Sequence, residues 1–160
     1  MIRTTLALAL AAGFLAAPAP GFMTAPASAA PLCDGTKLGF AGLLAKCNRG
    51  ETVKLTLASG QPLYTGEGPV KLQSGAYYTL EITADGSAEL AITGPQFLRA
   101  IWINEIVINS IEIRPMAIDS IEFDKAGVVE MSFIAIKPGT FDLHIPGTSG
   151  DTQKVEFTIQ

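Results

Sequence analysis

Five stretches of this chain alternate apolar and polar residues with a period of two, and that periodicity restricts the chain more than any other feature. Val53, Leu55 and Leu57 alternate with Thr52, Lys54 and Thr56, and Tyr78, Leu80 and Ile82 with Thr79, Glu81 and Thr83. Val129, Met131 and Phe133 alternate with Glu130 and Ser132, and Phe141, Leu143 and Ile145 with Asp142 and His144. Val155, Phe157 and Ile159 alternate with Glu156 and Thr158 at the end of the chain. Successive side chains of a strand point to opposite faces, so each run has one face for a core and one for water. Ser59-Gly60, Gly66-Glu67-Gly68-Pro69, Asp85-Gly86, Gly94-Pro95, Pro138-Gly139 and Pro146-Gly147 supply turn chemistry between runs. Short half-buried strands joined by such turns predict an all-β sandwich of antiparallel strands.

One segment departs from this regularity. FLRAIWINEIVINSIEIRPMAIDSIEFD (97–124) is dense in isoleucine and holds the single tryptophan, Trp102. It is too β-branched for a helix and predicts two or three strands with a bend near Pro115. It supplies core strands or, alternatively, an exposed apolar edge for association, with Trp102, Ile106 and Ile108 as the contact residues. Met116 and Met131 are expected to fill the core.

The first 29 residues have the pattern of a secretory signal: Arg3, an apolar run over Leu6 to Ala17, and a small-residue site at Ala27-Ser28-Ala29. Cleavage after Ala29 leaves about 130 residues, a one-domain length with no membrane span, destined for the periplasm or the outside. Without Arg3 the chain has 10 Lys/Arg against 15 Asp/Glu, a formal charge of −5. An acidic surface repels phosphate backbones, so nucleic acid is not an expected partner. Cys33 and Cys47 form an even count in an oxidising compartment and predict a disulfide. The pair staples a short helical hairpin over 30–50, with Asp34 as its N-cap and Leu38, Leu43 and Leu44 available to an apolar face. The sandwich occupies 51–160.

FIAIKPGTFDLHIPGTSGDTQKVEFTI (133–159) resembles the last two strands of cupredoxins, and YTLEITADGSAELAI (78–92) is similar to the strand, turn and strand that carry that family's first histidine. The resemblance implies a cupredoxin-like Greek-key sandwich. Its metal chemistry does not carry over. The position of the family's cysteine falls on Ile145, that of its first histidine near Glu89, and the former ligand loop reads Thr148, Ser149, Gly150, Asp151. A type 1 copper centre needs a thiolate and two imidazoles, whereas this chain has one histidine, His144. An exported domain of this kind also resembles small periplasmic proteins that accompany metal uptake, including lanthanide handling.

Oxygen donors remain. Glu89 and Asp151 stand at former ligand positions, and Asp119, Glu122 and Asp124 cluster in DSIEFD, where Glu122 and Asp124 share a strand face about 7 Å apart. Carboxylates at such spacing suit Ca²⁺-like or trivalent lanthanide ions. The expected metal candidates are therefore Glu89, Asp119, Glu122, Asp124, His144 and Asp151. Nucleophilic catalysis has little to work with: Ser149 lies in Gly-Thr-Ser-Gly, without the spacing of a nucleophile elbow. These features predict a non-enzymatic metal-handling protein that delivers a hard cation to a periplasmic partner. The alternative is a metal-free interaction module using 97–124, and the third reading is copper trafficking without a blue-copper site. A homodimer would let two chains pool their ligands.

Overall fold

A computed structural model describes residues 31–160. The signal segment expected over 1–29 lies outside the described residues. Among the described residues ten strands form two facing five-stranded sheets. The first sheet holds β1 (Arg49–Leu57), β3 (Tyr77–Ala84), β8 (Gly127–Ala135), β5 (Ile101–Ile108) and β6 (Ile111–Ile113), in that spatial order. The second holds β2 (Val70–Leu72), β10 (Lys154–Ile159), β9 (Gly139–His144), β4 (Leu90–Thr93) and β7 (Ser120–Phe123). Every run of period-two alternation lies within or along a strand. The sheets are mixed rather than purely antiparallel, because β1 pairs with β3 and β10 with β2 in parallel. The long connection between β1 and β3 permits this, since parallel neighbours cannot be joined by a tight hairpin.

The core lies between the sheets. Leu55, Leu57, Leu80, Ile82, Met131 and Phe133 face it from the first, and Leu72, Ile92, Leu143, Phe157 and Ile159 from the second. Phe97 enters from neither. It sits on α1 (Pro95–Leu98), a single helical turn opened by a proline at its first position, where the missing N–H costs nothing. The ring is fully buried, stacked on Phe157 at 4.3 Å and edge-on to Phe133 at 5.7 Å. Such contacts add to the area these rings bury. Met131 is buried as expected, but Met116 is fully exposed. It follows Pro115 in the loop that leaves the first sheet for the second.

Ahead of β1, the predicted helical hairpin is a set of short 3₁₀ segments at Gly35–Lys37, Gly39–Leu44 and Lys46–Asn48, closed by the Cys33–Cys47 disulfide. Asp34 caps the first by accepting a hydrogen bond from the Thr36 N–H at 2.9 Å. Asn48 is the buried anchor. Its Nδ2 donates to the carbonyls of Leu43 (2.8 Å) and Gly75 (2.9 Å), and its Oδ1 accepts from the Leu32 N–H (2.7 Å). One amide thereby joins the stapled loop to the turn before β3.

Candidate functional site

Three surface features collect the residues with chemistry. The first lies at one end of β4 and β7. These strands pair with Leu90 opposite Phe123 and Ala91 opposite Glu122, so Glu89 falls beside Asp124 and diagonal to Glu122 on one exposed face. Hydrogen bonding with Glu122, followed by the negative charges of Glu122 and Asp124, pushes the Glu89 carboxyl above its ordinary range. Like charges held on one face favour keeping a proton there.

The second feature lies at the other end of β4. Thr93 pairs with His144, which also stands opposite Lys154 of β10. Asp142 and His144 are two residues apart, so they share the outer face of β9, and His144 Nδ1 meets Asp142 Oδ2 at 2.6 Å. They line an open groove of about 290 Å³ with Thr148, Ser149 and Lys154. Asp151 is tied to Lys154 at 2.9 Å, and the ammonium's hydrogen bond and charge hold its carboxyl below the usual range.

The predicted ligands are therefore divided. Glu89, Glu122 and Asp124 meet, whereas His144 and Asp151 belong to the other end of the sheet, separated by the length of β4, about 13 Å at strand rise. Asp119 precedes β7, its carbonyl accepting from Thr93 Oγ1 at 3.0 Å, with its carboxyl in solvent. Among the described residues no three His, Cys, Asp or Glu side chains are arranged to hold a metal ion. Ile145, at the cysteine position, is a buried core residue.

The third feature is the β5–β6 ribbon at the free edge of the first sheet. Its strands pair Ile106 with Ile113, Val107 with Glu112 and Ile108 with Ile111 across a two-residue turn. Both turn residues, Asn109 (φ 49°) and Ser110 (φ 67°), are left-handed, as the type I′ hairpin requires. Ile106 is buried in the core and Ile108 packs against it, so these two expected contact residues face inward. The exposed apolar residues are instead Trp102 (49%), Ile111 (64%), Ile113 (43%) and Met116. Trp102 and Met116 also line a groove of about 360 Å³ with Leu98 and Pro115. On the outer face Arg114 is held by Glu105 (2.9 Å) and Glu112 (3.3 Å). Its Nη1 donates to the Asn104 backbone carbonyl at 3.3 Å. Sequence reasoning marked this segment but missed Ile111, Ile113 and Met116. Asn109-Ser110 lacks the glycine by which such turns are recognised.

The two facing sheets closed by β9 and β10 have the cupredoxin-like layout that the 133–159 likeness implies. No family model matches the chain, and no curated protein does. The solved structures it is similar to include a bacterial laccase-like multicopper oxidase from Ochrobactrum sp., at 9% identity and TM-score 0.49, over 72% of this chain and 32% of that one. A multicopper oxidase from Campylobacter jejuni is similar over 69% of this chain and 30% of that one, at 5% identity and TM-score 0.45. The small protein auracyanin B is similar over 69% and 88%, at 14% identity and TM-score 0.43. The chain spans less than half the length of the multicopper oxidases it matches. These likenesses concern strand layout alone and add nothing to the lanthanide-handling resemblance. Among the described residues no helix is long and apolar enough to cross a membrane.

Proposed function

We propose that this domain is an exported, non-catalytic binding module that docks protein partners through the β5–β6 ribbon. The observation that carries the reading is the exposure of Ile111 and Ile113 on the free edge strand β6, with Trp102 of the neighbouring β5 and Met116 of the loop after β6 also exposed. Isolated apolar residues on a surface are ordinary, but several beside an unpaired edge strand form a surface that water solvates poorly and a partner would cover. The edge adds main-chain hydrogen-bonding capacity to that apolar area, the combination used in strand addition. A photoreactive phenylalanine analogue at position 111, irradiated in the exported fraction of the native host, should give discrete adducts. The same analogue at Lys125, beyond β7, should give none. Equal labelling at both positions would sink the reading.

A second reading is favoured by the placing of Glu89, Glu122 and Asp124 on one face and by the raised Glu89 carboxyl: the three, not arranged as a ligand set here, would have to draw together around a Ca²⁺-like or trivalent cation whose charge relieves their repulsion. The remaining coordination would come from water or from a partner that receives the ion. Chelator-treated protein should gain thermal stability with Ca²⁺ or La³⁺ but not with Cu²⁺, and Glu122→Gln with Asp124→Asn should abolish the gain. An unchanged response in that double variant would remove this site.

A further inference from the structure

We infer that the occupant of the β6 edge is a second copy of this chain, paired antiparallel about a two-fold axis through Ile113. This rests on the reading of the β5–β6 ribbon as a contact surface and specifies its partner.

Hairpin geometry sets which backbone groups are available. In a two-residue hairpin the closing pair, here Ile108 and Ile111, exchanges both hydrogen bonds, and the pattern alternates along the strands. Ile111 and Ile113 therefore direct their N–H and C=O groups toward β5, whereas Glu112 and Arg114 direct theirs outward. A symmetric antiparallel pairing must match these outward groups. With the axis at Glu112, each Glu112 would stand opposite its own copy, two like charges across one ladder position. With the axis at Ile113, Glu112 of each chain stands opposite the partner's Arg114, which gives two oppositely charged pairs and four main-chain hydrogen bonds.

The other face is equally matched. Ile113 meets the partner's Ile113 as a non-hydrogen-bonded pair, the closer of the two spacings, and Ile111 meets the partner's Pro115. The isoleucines exposed in one chain are thereby covered, and the two first sheets become one continuous sheet. The remaining free edges lack this self-complementarity. The β1 edge is already partly covered, the Thr56 N–H donating to the Leu63 carbonyl at 2.9 Å. β7 carries Glu122 with Asp124 and Glu89 beside it, so a second copy there would bring carboxylates together. β2 exposes a single side chain, Lys71, and has no acidic residue to set opposite it in a second copy. Arg114 suits the role because a guanidinium fork can hold the partner's Glu112 while keeping Glu105.

The register makes the test specific. In a non-hydrogen-bonded antiparallel pair the α-carbons lie about 4.5 Å apart, within disulfide reach. Ile113→Cys should therefore form a disulfide-linked dimer under mild oxidation, with Cys33–Cys47 intact by mass. Glu112→Cys should form far less. Sedimentation equilibrium of the unmodified protein should show reversible dimerisation, weakened about tenfold or more in Ile113→Lys. Preferential linkage through Glu112→Cys would overturn the register, and a monomer at hundreds of micromolar would overturn the dimer. A monomer whose residue-111 probe still yields adducts with another protein would leave the binding-module reading standing. Loss of both signals would end that reading too.

Discussion

Asn48 shows how much one side chain holds in this fold. It is fully buried, and its amide serves two carbonyls and one N–H from three separate segments. Replacing it with alanine strands those groups away from water, and a buried unpaired polar group costs about 1–3 kcal/mol. Asn48→Ala should therefore lower the denaturant midpoint by an amount in that range, measured by urea unfolding with the disulfide intact. Glu89 acts in the opposite sense. Its carboxyl is pushed up in the folded state by Glu122 and Asp124, so folding takes up a proton in the window between its ordinary value and the raised one. Stability from this group is fully present below the ordinary carboxylate range and is lost as pH rises through the raised value. Glu89→Gln should stabilise the protein near neutral pH and flatten that part of the profile, as thermal melts across pH 4 to 7 would register. Neither role was legible from residue type. An asparagine near a cysteine and a glutamate after a turn acquire them only when distant segments meet.

At the scale of elements, the β5–β6 hairpin is where local sequence and structure disagree. Asn109 suits a left-handed conformation, but Ser110 at φ 67° pays the Cβ–carbonyl crowding that glycine avoids. Ser110→Gly should raise stability by about 1 kcal/mol without altering the register, and a stability change of opposite sign would contradict the type I′ assignment. The same absence of glycine is why the segment was readable as strands but not as a hairpin with an exposed edge. Pro115 did mark the bend, because proline cannot continue a ladder. The helical turn at Pro95–Leu98 was hidden for another reason. Four residues are too few to display a helical period, and Phe97 takes its place from the space between the sheets.

For the whole molecule, the Cys33–Cys47 staple fastens a loop with little core of its own to the sandwich. Asn48 and Arg49, whose guanidinium lies 4.6 Å from the centre of the Tyr77 ring, carry the connection onward. Converting both cysteines to serine should lower unfolding free energy by about 3 kcal/mol on the chain-entropy account, read from paired urea curves. A cost near zero would mean that the loop is already ordered by its contacts with β3.

The amino-acid sequence alone determined the strand runs, their buried faces, the disulfide and the count of one histidine. Those properties follow from residue type at local spacing, because a strand's period of two and a cysteine's chemistry need no distant partner. Only the tertiary structure decided which strands lie parallel, that Ile111 and Ile113 share the face of Ile106 yet stay exposed at the sheet edge as Met116 does in its loop, and that the six predicted ligands divide between opposite ends of one sheet. Alternation tells a strand which of its faces is apolar but not which strand lies beside it. Edges, clusters and docking surfaces are properties of that second choice.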